Sequence, residues 1–228
     1  MRNKTLVLLS SLILLTLNGI AQEQDTTLIL SGQKKEAAFL SLNSITLSGG
    51  IFNPSLSYFN NTFLPKNHTS DRFSGNVVYS ANLAFNLPVN FGARIGVWYW
   101  EQKVLGENGG AFNTLKVSLT GISLGAFYTL QYELLGIKPY LGLDGSILSI
   151  QDQYDANETI LKKSGSDFVW TPFIGLKHEF KKKIVVGLEY GYNLGSYMQD
   201  VENESSLENA KISVEGQKIQ LSIGYRFK

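Results

Sequence analysis

Lys218 to Phe227 alternates without a break. Ile219, Leu221, Ile223, Tyr225 and Phe227 take one set of positions, and Lys218, Gln220, Ser222, Gly224 and Arg226 take the other. A period of two places these sets on opposite faces of an extended strand, whereas a helix would scatter both around its circumference. Ile184, Val186, Leu188, Tyr190, Tyr192 and Leu194 repeat the pattern against Val185, Gly187, Glu189, Gly191 and Asn193. Beyond residue 21 no run of 18 apolar residues exists, so helical membrane spans are excluded there.

The same reading predicts strands near 45–58, 75–87, 90–103, 112–130, 137–151, 167–180, 183–199 and 211–227. Asn53-Pro54 interrupts the first, and at Gly121 the apolar parity of the fourth slips as a bulge would make it. The connections give separate support. Pro88-Val89-Asn90, Glu133 to Gly136 and Lys181-Lys182 are short, while 59–74, 104–111, 152–166 and 200–210 are longer and polar. This alternation predicts an all-β, eight-stranded antiparallel up-and-down transmembrane β-barrel. Its short turns and both termini would face the periplasm, and its long loops the exterior. A closed barrel is also the way, besides a helix, to pair every backbone group inside hydrocarbon.

The N-terminus supplies the address. Arg2 and Lys4 precede an apolar run from Leu6 to Leu17, and Gly19-Ile20-Ala21 offers a small-x-small cleavage site. Residues 1–21 are therefore expected to be a signal peptide cleaved after Ala21, 22–44 a flexible periplasmic leader, and 45–228 the barrel. Without residues 1–21, 18 basic side chains stand against 19 acidic, so nucleic acid is not an expected partner. The chain has no Cys, which removes disulfides, thiol catalysis and a lipid-modified N-terminal cysteine.

The apolar face should meet lipid and the polar face the lumen. By parity Arg94, Lys116, Asp144, Lys177, Glu179, Glu189, Lys218 and Arg226 point inward, where charges must be paired or hydrated. The favoured reading is a structural polar plug. The alternative is a gated narrow pore, in which rearranging an Arg94 or Lys177 pair with Glu189 opens a water path. Aromatics are expected in two interfacial girdles: Phe85, Phe91, Phe180, Tyr225 and Phe227 near the short turns, and Tyr58, Tyr99, Trp100, Trp170 and Tyr197 near the long loops. A secreted, soluble ligand carrier would invert the two faces.

Leu221, Ile223, Tyr225 and Phe227, ending one residue short of the terminus, resemble the terminal-strand signal that outer-membrane barrels present to the barrel-assembly machinery. By strand count and pattern over residues 45–227 the chain resembles the small OmpX-like and OmpA-like barrel superfamily. That resemblance implies an outer-membrane location and an assembly partner in the periplasm. It implies no activity, because functions on one fold diverge.

The residues favour a non-enzymatic role, structural or in surface interaction. A lipid-modifying enzyme needs a Ser/His/acid set. The two histidines are His68, in the first long loop, and His178, outward on the sixth strand beside a short turn, and neither has a nearby Ser at a suitable spacing. No cofactor or metal is expected. Phe59 to Pro65 is read as exposed aromatics on a polar loop, and Asp200 to Asn209 as an acidic loop that attracts cations bridging lipopolysaccharide; ordinary solvated loops are the simpler reading of both. Outer-membrane lipids and lipopolysaccharide are expected partners. Open alternatives are an envelope secretion or assembly complex with a protein partner, a narrow pore, and the lipid-modifying enzyme.

Overall fold

In the computed structural model the described residues are 40–106, 112–156, 159–181, 183–203 and 206–227; the expected signal peptide and most of the expected leader lie outside them. The period-two segments form β1 (Ser41–Pro54), β2 (Asn76–Asn86), β3 (Phe91–Leu105), β4 (Thr114–Thr129), β5 (Ile137–Ala156), β6 (Thr159–Phe180), β7 (Ile184–Asn193), β8 (Ser196–Asn203), β9 (Ser206–Ser213) and β10 (Gly216–Arg226). β1 begins at Ser41, within the stretch expected to be leader.

Eight of these strands close into an antiparallel barrel in the order β1-β10-β7-β6-β5-β4-β3-β2, sealed where β1 pairs with β10 from Ser44↔Arg226 to Pro54↔Gly216. β8 and β9 form a separate hairpin. The two segments expected as unbroken final strands are therefore divided: β7 and β10 stay in the barrel, and their continuations leave it as β8 and β9. The ranges 152–166 and 200–210, expected as loops, are largely strand, since β5 and β6 remain paired from Ile137↔His178 to Ala156↔Thr159.

The short turns close one end of the barrel. At β2–β3, Phe91 N–H donates to the Pro88 carbonyl at 3.3 Å across Val89 and Asn90, whose φ values are 60° and 63°. Two positive φ values at the centre of a two-residue hairpin loop match the right-handed twist of the flanking strands. Leu135 and Gly136, at φ 54° and 80°, repeat the device between β4 and β5.

The outer face is apolar over a defined height. Leu47, Ile51, Ile95, Leu124, Leu141, Ile147, Ile174, Leu188, Leu221 and Ile223 all project outward and are exposed. On β5 the outward set runs from Ile137 to Ile147. Ten residues at about 3.3 Å each, tilted by about 40°, give an apolar height of about 25 Å, which matches the lipid-facing band of an outer-membrane barrel.

Aromatic rings edge this band, but not all the expected ones. Phe91, Phe180 and Tyr225 are exposed at the short-turn end, while Tyr79, Tyr99, Phe168, Trp170 and Tyr192 are exposed toward the other. Trp100, expected in the second girdle, is buried in the lumen instead, while Tyr197, on the β8–β9 hairpin, is buried in the same interior cluster, against which Tyr58 packs. A large ring at the correct height goes to whichever face its parity dictates, and even positions of β3 face inward.

Candidate functional site

The lumen is the enclosed part of the molecule and has two layers of opposite chemistry. Nearer the short turns, Arg94 on β3 lies between Asp144 on β5 and Glu189 on β7. Its guanidinium donates to both Asp144 oxygens, from Nε at 2.9 Å and NH2 at 2.5 Å, and to both Glu189 oxygens, from NH1 at 2.5 Å and NH2 at 3.1 Å. The three side chains retain only 11%, 7% and 14% exposure. Planar, two-pronged donors suit this double bidentate clamp, which a lysine could not reproduce. Arg94 also lies 3.7 Å from the centroid of Phe173, and Tyr140 Oη donates to Glu189 at 3.1 Å.

The other expected lumen residues are distributed around this clamp. Lys177 Nζ donates to Thr129 Oγ1 at 3.2 Å and faces the Phe127 ring at 5.5 Å. Lys218 is buried with its ammonium 5.4 Å from the Trp98 ring. Glu179 and Arg226 pair with each other near the short turns. Lys116 does not belong to the set. It lies on the outer face of β4 and forms an ion pair with Glu101 at 2.6 Å.

The misplacement of Lys116 and the expected bulge at Gly121 have one cause. β4 keeps continuous register with both neighbours through Gly121, with Trp98↔Gly121 on one side and Gly121↔Leu148 on the other. Leu115, Val117 and Leu119 face inward with Gly121 and Ser123. The lumen changes from apolar to polar along the strand, so an unbroken parity looks like a slip. The one register shift along β1–β2 lies at Leu42/Ser44.

The second layer is therefore an apolar plug toward the long-loop end. Phe52, Trp98, Trp100, Leu119, Leu148, Ile150 and Val169 line it from the wall. The first long connection fills it from above: Phe59–Phe63 forms a π-helical turn and Leu64–Lys66 one α-helical turn, which bury Phe59 and Leu64 completely. Phe59, expected on a solvated loop, thus packs 5.7 Å from Phe73, and Phe63 lies 5.5 Å from Phe112. Asn60 fastens the loop by accepting from Phe73 N–H at 2.8 Å and donating to the Phe73 carbonyl at 2.9 Å.

The β8–β9 hairpin completes the closure with buried Tyr197, Ile212 and Val214. Burial and the Asp152 carboxylate push the Tyr197 phenol well above its ordinary range, and its hydroxyl faces Asp152 at 3.4 Å. The acidic side chains of 200–208 lie outside the described side chains.

Below the clamp a polar cavity of about 80 Å³ is lined by Ser44, Thr46, Ser48, Asn82, Lys177 and Ser222, among others. It adjoins a vestibule of about 610 Å³ at the short-turn mouth. Loop burial is not readable from period-two parity, because loop residues carry no parity. The surplus of aromatics at 59, 63 and 73 is the available signal.

Both histidines stand apart from these groups. His68 is exposed in the first long connection. His178 Nδ1 meets the Gly136 carbonyl at 3.0 Å, with its ring 4.3 Å from that of Phe180. Among the described residues no group of three or more His, Cys, Asp or Glu side chains is arranged to hold a metal ion.

A family model described as an outer membrane protein beta-barrel domain matches residues 29–227. The fold is similar to OprG from Pseudomonas aeruginosa, at TM-score 0.57 and 12% identity, covering 81% of this chain and 96% of that one. A major outer membrane protein from Thermus thermophilus gives 0.52 and 10%, covering 81% and 99%. Neisserial surface protein A gives 0.50 and 12%, covering 82% and 99%. At these identities the likeness is one of fold. No curated protein matches in sequence.

Proposed function

The chain belongs to the outer membrane protein β-barrel domain family, and from that premise we propose that it is a non-enzymatic, non-conducting barrel that anchors an extracellular platform in the outer membrane. Residues 1–21 serve as the export signal, cut after Ala21, and the Leu221, Ile223, Tyr225 and Phe227 face is presented to the barrel-assembly machinery.

The observation that carries this reading is the double closure of the lumen. A charged path through the Arg94 clamp would open onto the plug of Phe52, Phe59, Trp100 and Leu148, where a bare ion loses its hydration without compensation. Above the plug, β5–β6 and β8–β9 extend as paired strands, which offer an extended surface for contact. His178 supports a structural role, since its imidazole is engaged by a backbone carbonyl and packed on Phe180.

Planar-bilayer recording of the refolded chain tests the proposal. It should show no unitary currents, whereas sustained steps of constant amplitude would replace it by the narrow-pore reading. That reading draws on the cavity and vestibule, which lead from the short-turn mouth to Arg94.

A further inference from the structure

The short-turn mouth of the barrel holds more positive charge than its own carboxylates offset. Lys138, Lys177 and Arg226 line the vestibule of about 610 Å³, against Glu133 and Glu179. Glu179 is taken by Arg226, and Glu133 lies 3.6 Å from Lys138. Lys177 is left over, and the residue directly opposite it on β5 is Lys138, a like charge that repels it. Deeper in the lumen the charges balance. Asp144 and Glu189 face Arg94, and Lys218, two residues before the partner of Glu189 on β10, supplies the second cation.

The Lys177 ammonium has donors to spare. It gives one hydrogen bond, to Thr129 Oγ1 at 3.2 Å, and forms no ion pair among the described residues. An ammonium carries three N–H donors. The rings of Phe127 and Tyr140, 5.5 and 6.0 Å away, offer it no full charge. Lys177 lines both the vestibule and the cavity of about 80 Å³ behind it, which ends at Arg94. The free donors therefore stand in a passage open at the mouth and closed at the clamp.

Charge and reach select the ligand. A surplus of one cation suits a carboxylate better than a phosphate monoester, which brings a charge of about −1.5 to −2. Lys177 is three residues from Phe180 at the end of β6, about 10 Å along the strand and about 8 Å into the barrel at a tilt of about 40°. An extended peptide covers that depth with about two to three residues. Asn43 and Asn86 line the same vestibule. Their amides share one hydrogen bond, from Asn43 Nδ2 to Asn86 Oδ1 at 2.7 Å, which leaves the Asn43 oxygen and the Asn86 NH2 group to receive a peptide unit. We propose that the vestibule is a binding site for an extended peptide that ends in a free carboxylate, with that carboxylate paired to Lys177. The short turns face the periplasm, so the peptide enters from there. This site adds a binding activity to the extracellular platform and does not depend on it.

The test is fluorescence anisotropy of a tetra-alanine peptide with an N-terminal fluorophore, titrated with the refolded chain in detergent. Heat-modifiable gel migration of each variant first reports folding, so a failed barrel is distinguished from a failed site. The free acid should bind about tenfold to 100-fold more tightly than the C-terminal amide, the range expected for one charge-assisted hydrogen-bonded pair. Lys177→Gln should abolish that difference. Lys183→Gln, which removes an exposed cation at the same end but outside the vestibule lining, should stay within about twofold.

Glu133→Gln provides a second reading if Lys177→Gln does not fold. It alters an exposed turn residue, frees the Lys138 ammonium opposite Lys177, and should tighten the free acid severalfold. Equal binding of acid and amide, or a difference that survives Lys177→Gln, would overturn the proposal. Displacement of the peptide by acetate at the peptide's own concentration would overturn it as well, since the chain would then contribute nothing, and so would stronger displacement by inorganic phosphate than by acetate.

Discussion

Arg94 and Glu189 face each other across the lumen through two hydrogen bonds of 2.5 and 3.1 Å, while the same guanidinium holds Asp144 on its other side. Each group has been removed from bulk water, so its stability depends on its partners. Removing the cation alone leaves two buried carboxylates facing one another.

Arg94→Met is accordingly expected to destabilise the barrel by about 3–5 kcal/mol, the usual cost of breaking a buried ion pair from one side. Replacing all three, as Arg94→Met/Asp144→Asn/Glu189→Gln, should recover part of that loss, because no unpaired charge is left. Urea unfolding of the proteins in lipid vesicles measures both. A triple variant no more stable than the single one would show that the clamp acts through packing and not charge.

The apolar plug depends on Phe59 and Leu64, both fully buried. Truncating either to Ala should cost about 2–5 kcal/mol of local packing. The visible effect is release of the first long connection. Protease added to intact cells should leave 55–75 uncut in the parent chain and cleave it in Phe59→Ala or Leu64→Ala.

Val89 has a φ of 60° although its side chain is β-branched, a conformation that Asn or Gly tolerates far better. The side chain is exposed and has no packing role to lose. Val89→Asn should stabilise the short turn by about 1 kcal/mol, read as a higher urea midpoint; a lower midpoint would contradict the turn geometry.

Phe227 N–H donates to the Asn43 carbonyl at 2.8 Å, and its ring lies 5.6 Å from that of Tyr225. Phe227→Ala removes the last aromatic of the alternating face that the assembly machinery is proposed to read. Its amount in outer-membrane fractions should fall severalfold while refolding from urea in vesicles is little changed. An equal loss in both would assign Phe227 to stability alone.

The barrel wall is readable in the sequence because one face meets lipid and lipid tolerates only apolar side chains. Alternation such as Ile219 to Phe227 follows directly. The lumen obeys no equally strict rule. Parity places Arg94, Asp144 and Glu189 inside, but Leu115, Val117 and Leu119 are apolar on the inner face as well, and so the pattern puts Lys116 one position out of phase. The plug is hidden for a different reason: Phe59 and Leu64 are buried by tertiary folding of a connection, which neither periodicity nor loop polarity encodes. Strand extension past Gln151 is equally illegible because, outside the membrane, the outward face carries polar residues as well, and the inward anchor Tyr154 packs against Phe63 of the folded first connection, which periodicity does not encode.

The central claim is that the exposed face of Leu221 and Ile147 meets lipid. The absence of native Cys makes single substitutions unique labelling sites. An environment-sensitive fluorophore on Leu221→Cys, Ile147→Cys or Lys103→Cys, in vesicles containing lipids brominated along their chains, measures contact with hydrocarbon directly. Strong quenching at positions 221 and 147 with little at 103 is the predicted result. Equal, weak quenching at all three would contradict a membrane-spanning barrel.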